Sequence, residues 1–100
     1  MPAVVRIGDS LSTGHTCAAT TTLGGANQSS VYANGILVAV VGAPTVSHPF
    51  PPAPACAPHV AYLNVGSTMV YVEGIALGRI GDSADAGAMT SGSPTVFAGG

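Results

Sequence analysis

One short pattern recurs along this 100-residue chain, and it limits the fold more than any other feature. Val31-Tyr32-Ala33-Asn34-Gly35-Ile36 lies over Val70-Tyr71-Val72-Glu73-Gly74-Ile75 at an offset of 39 residues (31 to 70), and the same offset carries Gly42 onto Gly81. Each copy reads as a strand, a turn at Asn34-Gly35 or Glu73-Gly74, and a second strand. Asn-Gly between apolar runs is a strong hairpin signal, because both turn residues must take positive φ. A third copy is divided between the ends of the chain. Gly92-Ser93-Pro94-Thr95-Val96-Phe97 matches Gly66-Ser67-Thr68-Met69-Val70-Tyr71, after which the chain runs out at Gly99-Gly100. Arg6-Ile7-Gly8-Asp9-Ser10 is identical to Arg79-Ile80-Gly81-Asp82-Ser83 and supplies the missing half. The pattern predicts three similar β-hairpin units around an axis, a pseudo-threefold prism closed by pairing of the N- and C-terminal segments. Loops following Gly8, Gly42 and Gly81 then leave the hairpins at one end.

Composition agrees with an all-β single domain over residues 1–100. Glycine (14) and proline (8) punctuate a chain rich in Val, Thr and Ser, with no Trp. The charged residues Arg6, Asp9, Glu73, Arg79, Asp82 and Asp85 are 6% of the chain, against about 25% in an ordinary soluble domain. A net charge of −2 argues against nucleic acid, whose binding needs a basic surface. The longest apolar run, Ile36 to Val41, has the length of a strand and falls far short of the ~20 residues of a spanning helix. The N-terminus has neither the charged nor the apolar region of a signal peptide. So few charges point to a large face buried on a partner rather than to a solitary monomer.

Three histidines and two cysteines are the chemically distinctive side chains. His15 and His48 follow Gly8 and Gly42 at similar distances, whereas the matching place after Gly81 is Gly87, which offers no ligand. The second loop adds Cys56-Ala57-Pro58-His59. His15, His48, Cys56 and His59 together make a Cys-His₃ set of the kind zinc takes in a tetrahedron, with Cys56-x-x-His59 as a knuckle. Cys17 is an alternative ligand in place of Cys56 or His15, and a Cys17–Cys56 disulfide is an alternative fate for both thiols. The proline-rich stretch from His48 to Pro54 stiffens the path between ligands. Four protein ligands would close the site against catalysis. Asp9, Asp82 and Asp85 are the nearest candidates for a base, and Asp9 and Asp82 sit where Asp caps its own turn. No Gly-x-Ser-x-Gly, phosphate-loop or dinucleotide fingerprint occurs, so neither an enzyme nor a small-molecule substrate is expected.

Over nearly its whole length the chain resembles the PAAR-repeat family. The opening Gly-Ser-Pro-x-Val-hydrophobic is matched by Gly92-Ser93-Pro94-Thr95-Val96-Phe97, and a full unit runs from Gly66-Ser67 through Arg79-Ile80-Gly81-Asp82, with Ala76-Leu77-Gly78-Arg79 in the naming segment. In the other complete unit that segment is Leu37-Val38-Ala39-Val40, without the Arg, and Gly-Asp has become Gly42-Ala43. The resemblance implies a sharp β-rich cone with one zinc near its tip, held by three His and one Cys, here His15, His48, Cys56 and His59. It implies a structural protein capping the trimeric β-helical spike of a contractile tail, one tip per trimer, with transient contact with the target membrane. A site at the phage baseplate is expected, because the chain leaves no room for a toxin domain. The alternative is a type VI or related injection-system tip, assembled in the bacterial cytoplasm and expelled. The low charge then has a reason, since charge is costly in hydrocarbon. Two other classes, a small zinc hydrolase and a disulfide-stapled secreted β-module, stand beside this reading.

Overall fold

The computed structural model describes residues 1–99, and Gly100 of the closing glycine pair lies outside the described residues. The described chain is all-β, with ten short strands and no helix: β1 (Ser10–Ser12), β2 (Thr20–Thr22), β3 (Tyr32–Ala33), β4 (Ile36–Leu37), β5 (His48–Phe50), β6 (Ala57–His59), β7 (Tyr71–Val72), β8 (Ile75–Ala76), β9 (Ser83–Ala84) and β10 (Gly87–Ala88). Strands pair with their chain neighbours into five antiparallel two-stranded sheets. The body measures 41 × 23 × 21 Å.

The two hairpins read from the sequence form at the expected residues. Tyr32 pairs with Leu37 across Asn34-Gly35, and Tyr71 pairs with Ala76 across Glu73-Gly74. All four turn residues take positive φ (56° and 76°, 53° and 80°), which matches the turn's twist to that of its strands. The segments after Gly8, Gly42 and Gly81, expected as loops, are themselves built on hairpins: β1–β2, β5–β6 and β9–β10. Each follows a turn with its glycine at φ 89°, 95° or 89°. In two of these turns an Arg–Asp pair clasps the backbone. Arg6 N–H donates to Asp9 Oδ2 (2.7 Å) while Asp9 N–H donates to the Arg6 carbonyl (3.0 Å), and Arg79 with Asp82 repeats this at 2.8 and 3.0 Å. The third turn keeps the backbone bond alone, from Ala43 N–H to the Val40 carbonyl (3.0 Å).

Three central segments bond to one another in a closed circuit. Val5 N–H donates to the Gly78 carbonyl (3.0 Å), Gly78 N–H to that of Ala39 (2.9 Å), and Ala39 N–H to that of Val5 (3.0 Å). The chain ends also touch: Ala3 bridges Phe97, Val4 N–H donates to the Val96 carbonyl (3.0 Å) and Ala98 N–H to that of Pro2 (3.0 Å). Apolar side chains gather in two clusters. One holds Val5, Leu11 of β1, Leu23, Ala39, Ala43, Leu63, Ala84 of β9 and Met89, with Ile7 packed against it. The other holds Val4, Ala33, Val38, Val40, Val72, Leu77 and Ala98, and packs against β3 and β7. Each buried Leu or Val contributes about 1.5–3 kcal/mol relative to exposure, which two-residue strands need because an isolated hairpin is marginal.

A side chain at position 78 has no room. A Cβ there would run into the Leu63 Cδ2 methyl and lie 2.7 Å from Val5 Cγ2. Gly78→Ala is expected to destabilise the protein by about 1–3 kcal/mol through overpacking, read as a lowered midpoint in chemical denaturation. An unchanged midpoint would contradict this account of the centre.

Candidate metal centre

Four side chains from the three post-glycine hairpins converge: His15 from the β1–β2 loop, His48 and His59 from β5 and β6, and Asp85 from the β9–β10 turn. Their ligand atoms all lie within 4.8 Å of one another, and the cluster could hold a metal ion.

Each side chain is aimed by local backbone. Thr13, fully buried, shapes the first loop: its hydroxyl bonds to the carbonyls of Ala18 and His15, and its N–H donates to the Ala19 carbonyl (3.0 Å). The first loop packs backbone to backbone on the third hairpin. Ala86 N–H donates to the Thr13 carbonyl (3.0 Å), and Leu11 bridges Met89. This contact explains two glycines, since a Cβ at Gly14 would strike the Ala86 carbonyl and one at Gly87 the Ser12 carbonyl. His48 and His59 are direct register partners, so both rings fall on one face of their hairpin. Asp85 sits at φ 54°, with its N–H donating to the Tyr62 carbonyl (3.1 Å) and its own carbonyl accepting from Asn64 Nδ2 (3.0 Å).

Two imidazoles have their tautomers set by the backbone. His15 Nδ1 lies 2.9 Å from the Thr16 carbonyl and His48 Nδ1 lies 2.9 Å from the Val46 carbonyl, so each Nδ1 carries a proton. Each Nε2 is left to face the cluster. The two Nε2 atoms are 3.3 Å apart, and both stand 2.8 Å from Asp85 Oδ2. His59 Nε2 is 3.4 Å from Asp85 Oδ1. Filling every one of these contacts with protons would require adjacent imidazolium cations, which repel. A single cation among the lone pairs satisfies all four groups, and the second bond from Nδ1 to a carbonyl is the usual support of a metal-binding histidine. Phe50 covers the cluster, with its ring 4.3 Å from His59 and 4.8 Å from His15 between centroids.

The Asp85 carboxyl is drawn both ways. Burial pushes it up, but hydrogen bonds from His15 and His48, the His15 charge and the His59 contact outweigh burial and hold it below the usual carboxylate range. His15 is raised, first by its hydrogen bond to the Thr16 carbonyl, against burial and with help from Asp85.

Of the four residues expected to bind metal, the structure brings together His15, His48 and His59 but not Cys56. The Cys56 sulfur is bonded to Cys17 Sγ, so no thiolate remains for a metal. The alternative of Cys17 as a ligand falls for the same reason. The third hairpin, expected to give no ligand because Gly87 stands at the matching place, supplies Asp85 from two residues earlier. A signal for this was present: between Gly81 and Met89 the ligand-capable side chains are Asp82, which clasps its own turn, and Asp85. No family model matches the chain, and no curated protein matches it by sequence.

In metal-free protein the two shifts act on opposite sides of neutrality. Asp85, lowered, adds stability above the ordinary carboxylate range that is lost as pH falls through its folded value. His15, raised, adds stability below the ordinary imidazole range that is lost as pH rises through its folded value. Chelator-treated protein should therefore be most stable between about pH 4 and 6.5 and lose melting temperature towards pH 8. Metal requires neutral imidazoles, so with a divalent ion added the trend over that upper range should reverse. Parallel melting curves with and without metal from pH 5.5 to 8 would contradict the assignment.

Proposed function

We propose that the protein is a structural, non-enzymatic spike tip: a pseudo-threefold cap on a trimeric β-helical tail spike, with a zinc ion locking its apex. The observation that carries this reading is the repetition of backbone bonds in the register of the sequence repeat. The circuit of Val5, Ala39 and Gly78 is followed by Ile7 N–H to Leu37, Val41 N–H to Ala76 and Ile80 N–H to Ala3. It continues with Gly8 N–H to Leu23, Gly42 N–H to Leu63 and Gly81 N–H to Met89. In each set the donors are related by aligning Arg6 with Arg79 and by the 39-residue offset, and so are the acceptors of the first two sets. One chain with such a pattern can meet a true trimer on its axis.

Zinc is the favoured ion because three imidazole nitrogens and a carboxylate oxygen make an acceptable tetrahedral set. Ligands about 2.0–2.1 Å from a tetrahedral ion are about 3.3 Å from one another; His15 and His48 stand at 3.3 Å, and Asp85 Oδ2, 2.8 Å from both, would draw back slightly to admit the ion. Four protein ligands suit a structural role.

The spike-facing surface is assigned to Tyr32, Tyr71 and Phe97, which are 59%, 57% and 49% exposed at matching places in the three units. Large exposed rings recurring at matching places suit a face that a partner covers. They belong to the hairpins and terminal segment that precede the central segments, whereas the metal ligands follow them. The Cys17–Cys56 bond favours an oxidising setting, as on the outside of a particle. It also gives some support to a secreted, disulfide-stapled binding module, a reading that leaves the threefold register unexplained.

Co-expression with the trimeric spike protein of the same particle, followed by native mass spectrometry, should give one tip per three spike chains. Tyr32→Ser, Tyr71→Ser and Phe97→Ser together should abolish the complex while metal content stays unchanged. Another ratio, or an intact complex from the triple variant, would overturn the arrangement.

A further inference from the structure

The three hairpins around the metal centre meet at three junctions, and these are not built alike. The third hairpin is tied to the first loop by backbone, through Ala86 N–H to Thr13 and the Leu11–Met89 bridge. It is tied to the second unit by backbone too, through Asp85 N–H to Tyr62 and the Leu63–Ala84 bridge. The first and second units are joined by backbone as well, through Val46 N–H to the Thr22 carbonyl (2.9 Å) and the Leu23–Thr45 bridge, but this pairing stops short of the ligand loops, and between residues 14–19 and 47–60 no backbone hydrogen bond occurs among the described residues. What joins those two segments is the packing of the His15 ring on His48, Phe50 and His59, together with the Cys17–Cys56 disulfide. Cys17 lies two residues beyond His15. Cys56 immediately precedes β6, whose last residue is His59.

We infer that the disulfide and the metal centre are thermodynamically coupled: closing Cys17–Cys56 raises metal affinity by holding His15 against the β5–β6 hairpin, and bound metal makes the bond harder to reduce. This rests on reading the histidine–aspartate cluster as a metal centre. With the bond open, ordering the His15 loop is a cost that metal binding must meet, and with it closed most of that cost is already met in folding. The bond is open to reductant. Both cysteines are half-buried, and a shallow cleft lined by Ser47, His48, Pro49, Cys56 and Pro58 runs alongside. With glutathione the exchange balances as follows. One glutathione thiolate attacks a cysteine sulfur, the S–S bond breaks, and the departing cysteine thiolate takes a proton. A second glutathione then resolves the mixed disulfide, leaving two cysteine thiols and one oxidised glutathione.

Because coupling is reciprocal, the wild-type protein suffices for the test. It is equilibrated in glutathione redox buffers with chelator or with saturating zinc, the thiols are trapped, and the oxidised fraction is measured by mass; zinc bound to the oxidised protein is measured alongside. The expected result is a shift of the thiol–disulfide equilibrium about tenfold or more towards the disulfide when zinc is present. The Cys17→Ser/Cys56→Ser variant should lose zinc affinity by the same factor. An equilibrium that zinc leaves unmoved would overturn the coupling and make the bond a staple of the fold alone. A shift towards the thiols would overturn it in the other direction, with Cys56 as a ligand. In the first case zinc still binds and the metal centre stands, in the second zinc binds through a ligand set that includes sulfur, and oxidised protein that takes up no zinc would remove the metal reading and the coupling with it.

Discussion

Three stretches of backbone meet at the centre of this protein closely enough to bond in a ring, and the rest of the structure depends on that approach. Val5, Ala39 and Gly78 each give an N–H and a carbonyl to the circuit, so the polar groups of the inner chain are satisfied without a continuous sheet. The side chains at these three positions are a valine, an alanine and none, and the space at Gly78 is taken by Leu63 and Val5. A symmetric centre of three valines would not fit. The centre closes as a circuit of three hydrogen bonds and is uneven in its packing, which a single chain can arrange and a homotrimer cannot. Val5 and Ala39 belong to one apolar cluster and their chain neighbours Val4, Val38 and Val40 to the other, so that hairpins of two or three residues per strand gain the burial they lack individually.

From that centre the chain leaves through three tight turns, and their chemistry sets where the ligands go. Gly8, Gly42 and Gly81 take a backbone conformation that a side chain would resist. Two Arg–Asp clasps hold the outer turns, which places most of the protein's few charges in structural service near the middle of the molecule. The hairpins beyond them lean together closely enough that Gly14 and Gly87 have no space for a methyl group. The ligand cluster is thus a consequence of backbone packing between units, and its imidazoles are oriented by carbonyls of the loops that carry them.

Much of this was legible in the sequence, and what was missed has physical reasons. The Asn34-Gly35 and Glu73-Gly74 turns announced their hairpins because positive φ at two successive residues is a strong local demand. His15 and His48 were legible because they follow glycines at equivalent places, and His59 because it closes the Cys56-Ala57-Pro58-His59 segment. The hairpins β1–β2, β5–β6 and β9–β10 were not, since their strands carry Ser, Thr, Pro and Ala without a clear alternation and are held largely by neighbouring units. Asp85 was weighed as a base and not as a ligand because matching by position pointed to Gly87, whereas the turn between β9 and β10 brings its carboxylate to the cluster from two residues earlier. Cys56 was assigned by its knuckle spacing to His59. Spacing within one segment cannot reveal that a partner thiol from another loop, Cys17, lies within bonding distance.

A disulfide and a cluster able to hold a metal ion, which the sequence offered as alternatives, stand side by side here: one uses the two sulfurs and the other three imidazoles and a carboxylate. The central claim is that the ligand set contains nitrogen and oxygen only. X-ray absorption at the metal edge of oxidised, zinc-loaded protein tests it directly. The account predicts a first shell of light scatterers at about 2.0–2.2 Å with histidine outer-shell features, and a sulfur scatterer at about 2.3 Å would contradict it.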